Sequence, residues 1–239
     1  MTRQLDFVSK VNGRSYRIQV ALPFAKAPAA GFPVIYVIDG DGYFGTWAFA
    51  ARMRAMSDEL EPAVVVGIGY PEAETDMMLA MQRRMSELVP SVDAEAVRTL
   101  SGSGTGTPLQ AGADDLLRIL REEVPPLVAG IVPIDRGRQT LFGHSLGGLF
   151  ALHVLFSHPD AFQTYLVLSP SIWWDDRKVL SGRTRFLERA KRGEVAPAGL
   201  FGGGESRATR PEYAAPRGYS SKHDREPGAP TGGACRHGG

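Results

Sequence analysis

Apolar residues recur along this chain in two rhythms. Tyr16, Ile18 and Val20 alternate with Arg17, Gln19 and Ala21, the period of two that marks a half-buried strand. An earlier run, residues 4–9, is set off from it by Asn12-Gly13, a strong hairpin signal, so the chain opens as an antiparallel edge. Two continuous β-branched runs follow, residues 33–38 and 63–69, and read as strands buried on both faces. The first ends in Asp39-Gly40-Asp41-Gly42, the second at Tyr70-Pro71. Residues 43–60, between them, predict a helix. Asp114 predicts a helix N-cap, with Leu116, Leu120 and Val124 on one face and Pro125-Pro126 as the stop. Residues 99–107 alternate Gly with Ser and Thr and read as a flexible excursion. Residues 149–156 are apolar for two helical turns, and 165–169 form a further strand. Alternating buried strands and helices predict an α/β fold, a mostly parallel central sheet with helices on both faces.

One stretch organises the rest. Gly143-His144-Ser145-Leu146-Gly147 is a G-x-S-x-G pattern, preceded by apolar Leu141-Phe142 and followed by the apolar helix. That strand–turn–helix context defines a nucleophile elbow. The turn lifts the serine hydroxyl above the sheet edge, and strand and helix approach so closely there that the flanking residues must be tiny. Gly143, Gly147 and Gly148 meet that demand.

Composition narrows the chemistry. A net charge of +1 gives no electrostatic case for nucleic acid or an acidic membrane. The single cysteine, Cys235, excludes an internal disulfide framework and a cysteine-built metal site. No apolar run approaches the roughly 18 residues of a membrane helix, and the first residues lack the apolar core of a secretory signal. The expectation is a cytoplasmic protein with no metal and no cofactor of its own. The sequence assigns no oligomeric state.

Taken together, Pro33–Gly40 with Asp41, Val66–Pro71, Arg84–Pro90, Thr140–Phe150 and Ser169-Pro-Ser-Ile-Trp-Trp-Asp175 resemble the esterase family of α/β-hydrolases. The branch most similar is that of the siderophore trilactone esterases, which open ferric enterobactin-type catecholate lactones. The resemblance covers residues 5–190. It implies an α/β-hydrolase fold, Ser145 as nucleophile, and an oxyanion hole from the backbone N–H of Leu146 and one near Asp41. The implied substrate is a small ester, with any iron arriving bound to it. Arg84 begins a stretch similar to the family's R-x-x-D-(aromatic or Leu)-T-P segment at the substrate pocket, with Glu87 for the Asp and Val89 for the Thr. Arg84 therefore either meets an anionic substrate or forms a structural ion pair. Trp173 and Trp174 either wall an aromatic pocket or join the core.

The base is the missing part. In this fold the acid and the histidine follow the serine in chain order. His144 sits inside the elbow, His153 on the following helix and His158 at its end, which leaves His223 and His237. Neither follows a hydrophobic strand. From residue 199 to 239 there are ten glycines, four prolines and a single aliphatic among Val, Ile, Leu and Met, Leu200. A segment so poor in aliphatics cannot offset its ordering entropy. Residues 1–198 are accordingly expected to form an incomplete hydrolase domain lacking its last strand and helix, and 199–239 a disordered Gly/Pro/Arg-rich tail, either from a frame-shifted reading of a GC-rich gene or natural to the protein. Three functions stay open: a serine carboxylic-ester hydrolase, an inactive remnant without its histidine that still binds ligand, and an acyltransferase.

Overall fold

The computed structural model describes residues 1–92 and 110–202. Seven strands form one sheet in the order β1-β2-β4-β3-β5-β6-β7. Strands β1 (Thr2–Val8) and β2 (Ser15–Ala21) are the antiparallel hairpin at one edge, with Gly13 at φ 71° in its turn. β2 runs antiparallel to β4 (Val64–Gly69). From β4 through β3 (Phe32–Ile38), β5 (Ile134–His144), β6 (Thr164–Leu168) and β7 (Ala198–Gly202) every pairing is parallel.

Alternation along the central strands builds two cores. Val64, Val66, Ile68, Leu141, Tyr165 and Val167 face one side, where most helices pack. Val37, Val65 and Phe142 face the other and meet Phe44, Ala48 and Ala51 of α1 (Gly40–Met56). Helices thus cover both faces, as the alternating pattern predicts. α2 (Met77–Glu87) is capped at its start by the Asp76 carboxylate, which accepts from the Leu79 N–H at 3.0 Å. α5 (Leu146–Ser157), after the elbow, is buried almost throughout its length, which suits its uniformly apolar sequence.

Two expectations change. The helix expected to be capped by Asp114 begins at Ala113 with Gly112 as its N-cap, so Asp114 lies in the first turn, and the helix does not stop at the paired prolines. α3 (Ala113–Arg118) passes into a π-helical stretch, Ile119–Glu123, and then α4 (Val124–Ala129), with Pro125 and Pro126 in the first turn of the last piece. The prolines fall at the first positions of that last piece, where the N–H each lacks is not needed, so a sequence stop becomes an internal joint. The second change lies at the far edge. The domain boundary at residue 198 falls inside the sheet, because Gly199–Gly202 pair with Tyr165–Leu168 as part of β7. Glycine and a lone leucine suffice there, since the ladder bonds are made by backbone. The excursion at 99–107, and the tail from 203 on, lie outside the described residues.

Candidate active site

The elbow stands at the carboxyl end of β5. Ser145 has φ 56° and ψ −117°, a conformation that L side chains rarely adopt. The carbonyl of Ser145 accepts from Leu149 N–H at 2.9 Å, and its N–H donates to Leu168 O at 3.1 Å, so helix and neighbouring strand both hold it. A Cβ on Gly143 would overlap the Gly147 carbonyl, and one on Gly148 would lie 3.0 Å from Leu168 O and Pro170 Cα. The small residues are therefore a steric requirement of the mount.

Both backbone positions expected of the oxyanion hole fall in helix first turns at this edge of the sheet. Leu146 is the first residue of α5, and Asp41 the second of α1. Amides in a first turn have no acceptor within their helix, and the helix dipole favours negative charge beside them. The Asp41 carboxylate points to the end of β4, where Oδ2 accepts from Tyr70 N–H at 2.9 Å.

Between these positions sits a residue that sequence reasoning passed over. Asp39 ends β3 in the left-handed region, φ 58°. A Cβ on Gly147 would lie 3.3 Å from its Oδ2, so its carboxylate borders the elbow. Arg84 grips it through both oxygens, Nε to Oδ1 at 2.6 Å and Nη2 to Oδ2 at 2.7 Å. The pair is mostly buried, and after the cost of burial Asp39 holds the Arg84 guanidinium above its ordinary value. Of the two roles left open for Arg84, the structural ion pair is the one observed. Glu87 turns away from the elbow: its Oε1 accepts from Arg83 Nε at 2.8 Å and Arg14 Nη1 at 3.1 Å. Arg83 lies over the rings of Tyr16 and Tyr70 at 4.5 and 4.7 Å and also grips Glu72, tying α2 to the hairpin.

Trp174 is in the core and not on a pocket wall. It is 4% exposed, and its indole N–H donates to Ser91 O at 2.9 Å. Trp173 is the exposed member of the pair, at 69%. Trp174 N–H also closes a turn onto Ser171 O at 3.1 Å. Ser171 is buried, and its Oγ lies 3.2 Å from Ser145 Oγ. The only sign of it in the sequence is a Ser-Pro-Ser placed at a strand's carboxyl end.

The histidines inside the described residues are engaged elsewhere. His144 Nδ1 is hydrogen-bonded to Tyr43 Oη at 2.7 Å, over an apolar hollow lined by Trp47, Phe142 and Leu168. His153 Nε2 meets Asp114 Oδ1 at 2.7 Å, an anchor to α3, and His158 Nδ1 meets Ser157 Oγ. Among the described residues, Ser171 supplies the hydrogen bond to Ser145 Oγ. His223 and His237 lie outside them. Also among the described residues, no helix is long and apolar enough to cross a membrane, and no cluster of His, Cys, Asp and Glu could hold a metal ion.

A mostly parallel sheet, helices on both faces and a strained serine at a strand-to-helix turn define an α/β-hydrolase. The chain belongs to the family described as "Putative esterase", whose pattern it matches over residues 9–199, and by ancestry it is a carboxylic ester hydrolase. It is 36% identical over 200 residues to the ferri-bacillibactin esterase BesA of Bacillus subtilis, an alignment spanning 82% of this chain and 68% of that protein. It is 37% identical over 184 residues to a siderophore enterobactin esterase of Emericella nidulans, spanning 73% of this chain and 59% of the relative. Among solved structures, the BES protein of Bacillus cereus superposes with a TM-score of 0.73 at 36% identity, covering 84% of this chain and 74% of that one.

Proposed function

We propose that the chain hydrolyses the ester bonds of a siderophore lactone, with Ser145 as nucleophile. The observation that carries this reading is Ser145 itself, raised at φ 56° and ψ −117° between β5 and α5. Support for the substrate class comes from the relatives, named as esterases of ferri-bacillibactin and of enterobactin. In this reading Ser145 Oγ attacks the ester carbonyl carbon while a base takes its proton. The carbonyl oxygen, now negative, is met by the N–H of Leu146 and one near Asp41. Collapse expels the alcohol, and water then frees the acid from the acyl-serine. Trp173, exposed two residues after Ser171, offers an aromatic face to a catechol ring.

A second reading rests on the engaged histidines. If neither His223 nor His237 serves as base, turnover falls by a factor on the order of 10⁶, leaving on the order of 10³–10⁴ over water from oxyanion and binding contacts. One experiment separates the two. The full chain is treated with a fluorophosphonate probe and assayed on p-nitrophenyl acetate and ferric enterobactin, beside Ser145→Ala, His223→Ala and His237→Ala. Labelling and turnover that vanish with Ser145 and collapse with one histidine support the esterase. Turnover equal to that of Ser145→Ala refutes it, leaving a remnant that at most binds ligand. Adding a primary alcohol to the assay reports any acyltransferase, through ester product in place of acid.

A further inference from the structure

The elbow motif accounts for Ser145 and its small neighbours. It does not account for the second hydroxyl that touches the nucleophile. Ser171 is 5% exposed and lies 26 positions further along the chain. It is brought to Ser145 by a bracket whose every part is visible. Ser169, at the end of β6, takes the left-handed region at φ 41° and turns the chain back toward the elbow. Pro170 packs close against Gly148, where a Cβ would lie 3.0 Å from the proline Cα. Ser171 N–H then donates to Ser145 O at 3.0 Å, and Trp174 N–H donates to Ser171 O. The indole of Trp174, fixed on Ser91 O, holds the far side of the turn. Both backbone groups of Ser171 are thereby satisfied, which aims its Oγ at Ser145 Oγ.

We propose that Ser171 is a second working hydroxyl of the reaction centre, donating a hydrogen bond to Ser145 Oγ that sets its rotamer and stabilises it as it loses its proton. The proposal rests on the reading of Ser145 as nucleophile. A hydroxyl has one proton to give and two lone pairs to offer. Ser145 must release its own proton to a base during attack, so a bond donated by Ser145 would break at that moment. A bond donated by Ser171 persists and becomes charge-assisted as negative charge gathers on Oγ. In the step itself, the Ser145 O–H bond breaks and its proton goes to the base. The Oγ–carbon bond forms, the carbonyl electron pair moves to the carbonyl oxygen, and Ser171 keeps its proton throughout.

The test uses the full chain with Ser171→Ala, Ser171→Thr and Ser145→Ala. It reads fluorophosphonate labelling rate, kcat and KM on p-nitrophenyl acetate, and the thermal midpoint by circular dichroism. A hydrogen bond to a developing charge predicts that Ser171→Ala slows labelling and lowers kcat by about 10–100-fold. KM and the thermal midpoint should stay near wild type, because the bond strengthens only as the reaction proceeds. Ser171→Thr, which keeps the hydroxyl, should recover most of the loss. Wild-type kcat and labelling in Ser171→Ala overturn the proposal while leaving Ser145 in place. So does a loss that follows a fallen thermal midpoint and is not recovered by threonine, since that describes packing alone. If wild type and Ser145→Ala are labelled alike, the reading of Ser145 fails and this proposal falls with it.

Discussion

A methyl group is enough to test the mount. On Gly143 it would overlap the carbonyl of Gly147, and neither backbone can retreat because β5 and α5 are both packed. Gly143→Ala should therefore cost at least about 3 kcal/mol or prevent folding, as judged by urea unfolding. The same crowding made this site legible in the sequence, because the constraint is local and leaves a spacing of glycines. Arg84 is the opposite case. Its partner Asp39 lies 45 positions away, and nothing in the spacing distinguishes an arginine that meets substrate from one that grips a strand end. With the pair in view, Arg84→Met should destabilise by about 1–3 kcal/mol, because it strands a largely buried carboxylate beside the elbow. Arg84→Lys should recover little, since an ammonium cannot span both oxygens. Urea midpoints for the two variants decide this.

At the scale of elements, periodicity found β2, β3, β4, β6, α1 and the helix after the elbow, because each carries its own apolar signal. It failed at Pro125-Pro126, where a π-helical stretch supplies a joint that sequence rules read as an end. It failed again at β7, whose five residues Ala198–Gly202 hold one aliphatic side chain and owe their strand to the backbone of β6. Position in the fold decided that segment, and its own propensity did not. β7 is also an edge, with Leu200 exposed. Such an edge invites pairing with another chain, and a charge there blunts it. Leu200→Lys should lower concentration-dependent light scattering while leaving the thermal midpoint within about 1–2 °C, as a surface change does.

Across the whole molecule, buried tyrosines link stability to pH. Burial raises the phenols of Tyr16, Tyr36, Tyr70 and Tyr165 above their ordinary value of 10.0, and the Glu87 carboxylate adds to the shift at Tyr16 and Tyr70. The unfolded chain therefore loses those protons first. The contribution is fully present below about pH 10 and is lost progressively as pH rises from there through the raised values of the folded state. Urea midpoints should fall steeply above pH 10, and the tyrosinate absorbance of these four rings should emerge together with loss of the far-ultraviolet signal. Ionisation of more than three of the chain's seven tyrosines before unfolding would contradict burial of these four rings.

The carbonyl of Gly202 accepts the N–H of Ser169 at 2.5 Å, so the last described residue grips the first residue of the loop that carries Ser171. The nucleophile is in this way fastened to the trailing end of β7 by two short steps of backbone. A stop codon or protease cut before residue 202 would unfasten it although every residue of the elbow remained. A cut made after residue 203 would leave the fastening whole. Fragments from limited proteolysis that keep Gly202 should accordingly hold the native far-ultraviolet signal and thermal midpoint, and those cut before it should lose both.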